Sequence, residues 1–324
     1  MKVSRVLVTL VLLTMLLAGA AADDDEQPTD QPVRLTDRTG EVFAAVDLTK
    51  ARFSDSVLNQ AAFVNVKMTE SIFRNVMLGQ SVCEAVSLAG VSLQDSSLDG
   101  LQLWNVSFDD ASIANSSVER LRLTGTDMSE AQADHVDMRG ARFANVDFEG
   151  ATFKDCRLRR VSFDDCDFAE AQLLNVTEAT RLSLKNCKLV DTRWYGVVLS
   201  DGNMERVTLT GISGSYLKID ECTLERSELE DLKLRWCDLT DARLESVEAP
   251  GLQLESVQAP RGRWRNVQLR GTNFEGCDFR DGYFYRGSFE DCRFSNVDFS
   301  DVRLENCDID GLVINGVRID ELLR

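Results

Sequence analysis

Histidine is almost missing from this chain: His135 is the single one among 324 residues. With it goes the commonest general base and a frequent neutral metal ligand. His135 itself falls at an outward position, with no Cys or Ser implied beside it, and reads as a surface side chain. The nine cysteines contain no Cys-x-x-Cys pair and no zinc-ligand spacing. No glycine-rich phosphate loop is present. No long insertion interrupts the pattern described below to wall a pocket. Positive charge is scarce too: 36 Lys and Arg stand against 54 Asp and Glu, a net charge of -18. That balance disfavours nucleic acid and anionic membranes, and leaves basic proteins, cationic ligands or metal ions as partners. No enzymatic activity, cofactor or dedicated metal site is expected.

The first 22 residues read as a secretory signal. Lys2 and Arg5 give a positive start, residues 6–17 are an apolar run, and Ala18-Gly19-Ala20 and Ala20-Ala21-Ala22 suit small-residue cleavage. An uncleaved anchor is the alternative, although the run is near the lower length limit for spanning. With the signal removed, no stable membrane span remains, and the chain is expected to be exported: periplasmic, cell-surface or secreted. Residues 23–40, with Asp23-Asp24-Asp25-Glu26, Pro28 and Pro32, read as a flexible leader or N-terminal cap.

From Phe43 a five-residue register fills residues 41–324. Each block has a small residue first, a Phe or Leu third, and mostly polar residues elsewhere, as in Val146-Asp147-Phe148-Glu149-Gly150. All 16 phenylalanines fall on the third position. The register slips by one residue near 177–181, resumes at Leu184 and is read as holding to Ile319. A period of five matches neither a helix nor an ordinary strand. It suits a chain that turns a corner every five residues and points the first and third residues inward. Four such sides close a coil of about twenty residues, and successive coils stack like parallel strands about 4.8 Å apart.

In this pattern the chain resembles the pentapeptide-repeat family, whose motif is roughly Ala-Asp/Asn-Leu-x-x. Val and Cys often replace the Ala here, and Phe often replaces the Leu. The resemblance implies an all-β fold, a right-handed quadrilateral parallel β-helix, here of about fourteen coils and roughly 65–70 Å long. Residues one coil apart should touch: Trp194 beside Gly214, Ala133 between Ile113 and Phe153, and Phe143 on Phe163. Each coil should lean mainly on its neighbours.

Eight cysteines occupy the first position and Cys83 the third, so all should point inward as compact apolar side chains. Cys166 and Cys187 should stack in adjacent coils once the slipped residue is looped out, which permits a disulfide whose geometry could be strained. A β-helix has open edges, so either a short terminal turn or end-to-end pairing of two copies should cover the last coil.

Sorted by face, the outward residues are unevenly charged. Between residues 108 and 170 one face carries Asp109, Asp110, Asp127, Glu130, Asp147, Glu149, Asp167 and Glu170 with no base. Asp127, Asp147 and Asp167 should form a ladder at one-coil spacing. Such a ladder favours proton uptake or a bound cation, Ca²⁺ suiting oxygen-only ligands; the plainer reading is a solvated acidic face. The neighbouring face carries Arg206, Arg226, Arg243, Arg263, Arg265, Arg286 and Arg303. Tyr195, Tyr216 and Trp236 belong to successive coils of one face and could form an exposed aromatic strip suited to a protein partner or a sugar.

These features point to a non-catalytic exported scaffold or protein-interaction module. Two alternatives stand beside it. Gyrase-protecting members of the resembled family are acidic rods that mimic DNA, a reading that needs a cytosolic chain. Other β-helices use Asp clusters with Ca²⁺ on polysaccharides, which is fold-level analogy.

Overall fold

The computed structural model describes residues 37–322; the signal sequence and residues 23–36 of the leader lie outside them. The fifth position of each block explains the path of the chain. From residue 40 to 175, and again from 181 to 311, every such residue has a positive φ, for example Asn65 at 53°, Asp95 at 54° and Asn145 at 53°. Asn, Asp and Gly tolerate this left-handed conformation best, which is why they dominate the position. At the corner after Leu48, the Ala51 N–H donates to the Leu48 carbonyl at 3.1 Å, with Lys50 at φ 62°. The side chains on either side of each corner then point inward, and the first and third positions form one continuous buried core.

The coils stack in parallel. One face carries fourteen strands, from Val42–Ala44 to Arg303–Glu305; another carries fifteen, starting at Arg52–Val57. The other two faces are held mostly by isolated parallel bridges such as Asp147 with Asp167. Between residues 179 and 230 they become regular three-stranded sheets, Ala179–Thr180, Val198–Ser200 and Lys218–Asp220 on one side, Lys188–Val190, Thr208–Thr210 and Glu228–Glu230 on the other. Before the slip, partners differ by twenty residues, as in Phe143 with Phe163. Across it they differ by twenty-one, as in Phe163 with Leu184 and Leu173 with Trp194. The extra residue sits within one side and not at a corner: Thr177 and Glu178 are both exposed between buried Val176 and Ala179, where regular blocks have a single residue between their two inward ones.

The expected neighbours meet. Phe143 stacks on Phe163 at 4.8 Å, Phe148 on Phe168 at 4.8 Å, and Phe274 on Phe294 at 4.3 Å. Trp194 lies opposite Gly214, and Ala133 between Ile113 and Phe153. A Cβ on Gly214 would come within 2.7 Å of Leu217 and 2.9 Å of Leu234, so these two side chains close over the space that the absent one leaves.

The C-terminus departs from the register. Val313–Ile314 adds to the stack in parallel, but Val317–Arg318 then pairs antiparallel with it. Asn315 and Gly316, at φ 47° and 82°, make the reversal, as an Asn-Gly hairpin turn requires. The regular repeat therefore ends at Ile314 and not at Ile319. Ile319–Leu322 forms one short helical turn, tied back by the Ile319 N–H to the Leu312 carbonyl at 2.9 Å. Arg318 holds the buried carboxylate of Asp320 at 2.9 Å. Among the described residues no helix is long and apolar enough to cross a membrane.

Candidate interaction surfaces

The corner row that runs Asn175, Gly196, Tyr216, Trp236, Ser256, Gly276 and Asn296 has left-handed backbone at its turn positions, φ being 57° at Tyr216 and 52° at Trp236. Small or Asx residues fit there; two large aromatics do not obviously belong. Their rings stack at 5.3 Å with an interplanar angle of 22°. Tyr195 is not in the same row. It ends the strand Arg193–Tyr195, directly opposite Ser215, and meets Tyr216 edge-to-face at 5.5 Å. The three rings form one contiguous strip, 51%, 55% and 51% exposed.

The strip has a basic frame that sequence reasoning missed. Arg193, Lys233 and Arg235 lie on the same face and are exposed. Arg235 pairs with Glu255 at 3.0 Å, while among the described residues Arg193 and Lys233 have no carboxylate within 4.0 Å. The signal was available: all three fall at outward positions of the coils that hold the rings.

The acidic ladder is in register, Asp127 opposite Asp147 and Asp147 opposite Asp167. Its next rung is Lys188, bridged to Asp167, so the acidic run ends in a base. Each aspartate also serves the turn that follows it. Asp127 accepts from the Ser129 N–H at 3.0 Å, Asp147 from the Glu149 N–H at 3.0 Å, and Asp167 from the Ala169 N–H at 3.1 Å. This side-chain mimic of a backbone turn recurs at Asp47, Asp238, Asp278 and Asp298. It gives Asp at this position a structural role independent of any ion. Nearby, partial burial with Asp110 and Asp127 alongside pushes the Asp109 carboxyl up.

Among the described residues, three potential ligand atoms come within 4.8 Å of one another at Asp134, His135 and Asp155, not along the ladder. There His135 Nδ1 lies 2.6 Å from Asp134, and Lys154 Nζ 3.3 Å from the same carboxylate. The ammonium already supplies the positive charge that the cluster calls for.

Cys166 and Cys187 are buried in adjacent coils as free thiols, not as the disulfide that their stacking allows. In-register side chains of neighbouring parallel coils project side by side, whereas an S–S bond needs a dihedral near 90° between converging Cβ–S bonds. Cys166 is pushed up by its hydrogen bond with Cys187 and by burial. The first-position cysteines are more than apolar filler. Cys156 Sγ donates to the Ala133 carbonyl at 3.4 Å and Cys292 Sγ to that of Leu269 at 2.7 Å. Ser71 and Ser81 do the same to Leu48 and Leu58 at 2.7 and 2.8 Å. Ser and Cys serve alike at this position because each puts a small donor beside a carbonyl of the previous coil. Burial pushes Cys83, Cys156 and Cys292 up to about 12, so these thiols are protonated and unreactive at neutral pH.

Family models agree with this geometry. A pentapeptide repeat region matches residues 136–213, a nine-copy pentapeptide-repeat model residues 265–308, and an eight-copy model residues 42–76 and 107–145. A search of curated proteins finds no match. Solved structures similar to the chain include HetL, a pentapeptide repeat protein involved in heterocyst differentiation regulation from the cyanobacterium Nostoc sp. strain PCC 7120. It is 13% identical, with 94% of this chain and 96% of that one covered and a TM-score of 0.27. A trypsin-treated variant of QnrB1, a plasmid-mediated fluoroquinolone resistance protein, is 19% identical over 60% and 92% of the two chains, with a TM-score of 0.29. A double mutant of the periplasmic alginate epimerase AlgG is 8% identical over 84% and 76%, with a TM-score of 0.30. With its five-residue repeat, its stacked four-sided coils and these family matches, the chain belongs to the pentapeptide-repeat family.

Proposed function

We propose that this protein is an exported, non-catalytic interaction module that engages a protein partner through the corner of Tyr195, Tyr216 and Trp236. The observation that carries this reading is the placement of Tyr216 and Trp236 on left-handed backbone. A non-glycine residue there costs roughly 1–2 kcal/mol. Asn, Asp and Gly are the commonest choice at the fold's corners, longer chains such as Lys50, Arg120 and Arg226 also occur, and the other positions of this row from Asn175 to Asn296 are Asn, Gly or Ser. Two adjacent coils forgo the cheaper residues and expose the rings to water. The rings stack on one another, so they are held rigid before any partner arrives, which lowers the entropy lost on binding. Tyr, Trp and Arg are also the residues that dominate binding energy at protein interfaces. The unpaired Arg193 and Lys233 beside them favour an acidic surface on the partner. Export rests on the reading of residues 1–22.

The test is a pull-down from the extracytoplasmic fraction with the wild type and a variant carrying Tyr195→Ser, Tyr216→Ser and Trp236→Ser. Serine already occupies this corner row at Ser256, with φ 55°, so the variant should fold. A partner recovered by the wild type should be lost by the variant; equal recovery of every partner by both would sink the assignment.

A further inference from the structure

Two other faces of the rod leave their charges unpaired, and they match each other. On the face that holds Phe148, six carboxylates of successive coils, Asp127, Glu130, Asp147, Glu149, Asp167 and Glu170, have no ion-pair partner within 4.0 Å among the described residues. On the neighbouring face, four coils farther along carry Arg243, Arg263, Arg265, Arg286 and Arg303. Arg243 sits directly opposite Arg263 in the strand register, an arrangement of like charges that is unfavourable by itself. Among the described residues, only Arg265 in this group reaches a carboxylate within 4.0 Å, Glu245 at 3.8 Å. Elsewhere the chain pairs charges across coils, as Arg261 does with Asp241 and Arg270 with Glu290, both at 2.6 Å.

The arginine face is also preorganised. The Arg286 guanidinium lies over Tyr285 at 5.0 Å, and Arg265 over the other side of the same patch at 5.9 Å from that ring. Tyr283 stands parallel to Tyr285 at 6.2 Å and donates its hydroxyl to Glu305 at 3.0 Å. Guanidiniums held on aromatic rings lose little freedom on meeting an anion.

We infer that this arginine face receives the acidic face of a second copy of the chain. The acidic face extends over three coils and the arginine face over four, and both repeat at the same spacing of about 4.8 Å, because both are built on one backbone ladder. Carboxylates of one copy therefore meet guanidiniums of the other rung for rung. The net charge of -18 opposes any other close approach of two copies, which restricts contact to this pairing. The acidic and basic patches are different surfaces, so the contact is heterologous. A pair formed this way still offers one free patch of each sign and grows as an open chain, not as a closed dimer. The aromatic corner takes no part.

Sedimentation velocity of the purified protein tests this across protein concentration, from about 0.01 M salt, where the Debye length is about 30 Å, to about 1 M, where it is about 3 Å. The weight-average sedimentation coefficient should rise with concentration at low salt, with no plateau at dimer, and return to the monomer value at high salt. A variant with Arg263→Glu and Arg265→Glu should stay monomeric, as should one with Asp147→Arg and Asp167→Arg. Mixing the two should restore association, because each then presents the charge that the other has lost. Circular dichroism matching the wild type shows that both variants are folded. A monomer at every salt concentration overturns the inference. So does association that survives charge reversal or high salt, and so does capture of polyglutamate or an acidic polysaccharide by the arginine face without self-association. The Tyr195, Tyr216 and Trp236 triple variant should self-associate like the wild type, which separates this outcome from the fate of the aromatic corner.

Discussion

The coils spanning residues 143–168 and those spanning 194–244 solve one packing problem in two ways. In the first, phenylalanines fill the tube. Phe148 is 0% exposed and meets Phe168 face-on at 4.8 Å, with Phe143, Phe153 and Phe163 around it edge-on at 5.4–5.7 Å. In the second, one coil's bulk answers the next coil's void. Trp194 faces Gly214, its Nε1 has no hydrogen-bond partner, and inward residues Ile219, Leu224, Leu239 and Leu244 are only partly buried. The aromatic corner lies on these looser coils. Ring stacking inside makes a rigid segment with a plain acidic exterior; volume matching inside accompanies a segment that displays its rings outside. Local opening should follow the same division, since it tracks buried apolar contact.

Phe148→Ala should do the most damage. It opens a cavity among four other rings and should cost about 3–5 kcal/mol, read as a lower urea midpoint. A loss under about 1 kcal/mol would mean that the two segments do not differ as described. Gly214→Ala should cost less, about 1–3 kcal/mol, by overpacking against Leu217 and Leu234. Leu234→Val should recover part of that loss in the double variant, and strict additivity would show that Leu234 and the glycine are not matched. The smallest effect, and of opposite sign, belongs to the corner. Tyr216→Asn should leave stability unchanged or raise it by up to about 1 kcal/mol, because Asn suits the left-handed backbone. A clear loss of stability would recast the ring as structural.

The fold was legible because its periods are rigid consequences of geometry. Five residues make a side, twenty make a coil, and the phenylalanine positions report both. The C-terminus was misread for an equally physical reason. Ile319 keeps the spacing, but Asn315-Gly316 reverses the chain before it arrives, and a local turn signal outranks a periodic one. The aromatic strip could be placed because Tyr216 and Trp236 are one coil apart; the diagonal contact of Tyr195 depends on ring rotamers that spacing does not set. Asp at the second position counted only as charge from sequence, since its hydrogen bond to the N–H two residues on needs the corner geometry. The cation–π contacts of Arg265 and Arg286 were hidden likewise: they join a strand residue to the ring of another coil and to the ring of its own chain neighbour.

The extra residue at Thr177 and Glu178 shows how such a chain can change over time. It bulges one side, the corners at Asn175 and Arg181 stay regular, and the next rungs resume as Phe163 with Leu184 and Leu173 with Trp194. A single extra residue is thus absorbed within one side, and a gain or loss of one whole coil would leave every remaining neighbour correct. Length in this architecture is quantised, and the distance between any two surface features along the rod can be reset in steps of one strand spacing without redesigning either feature.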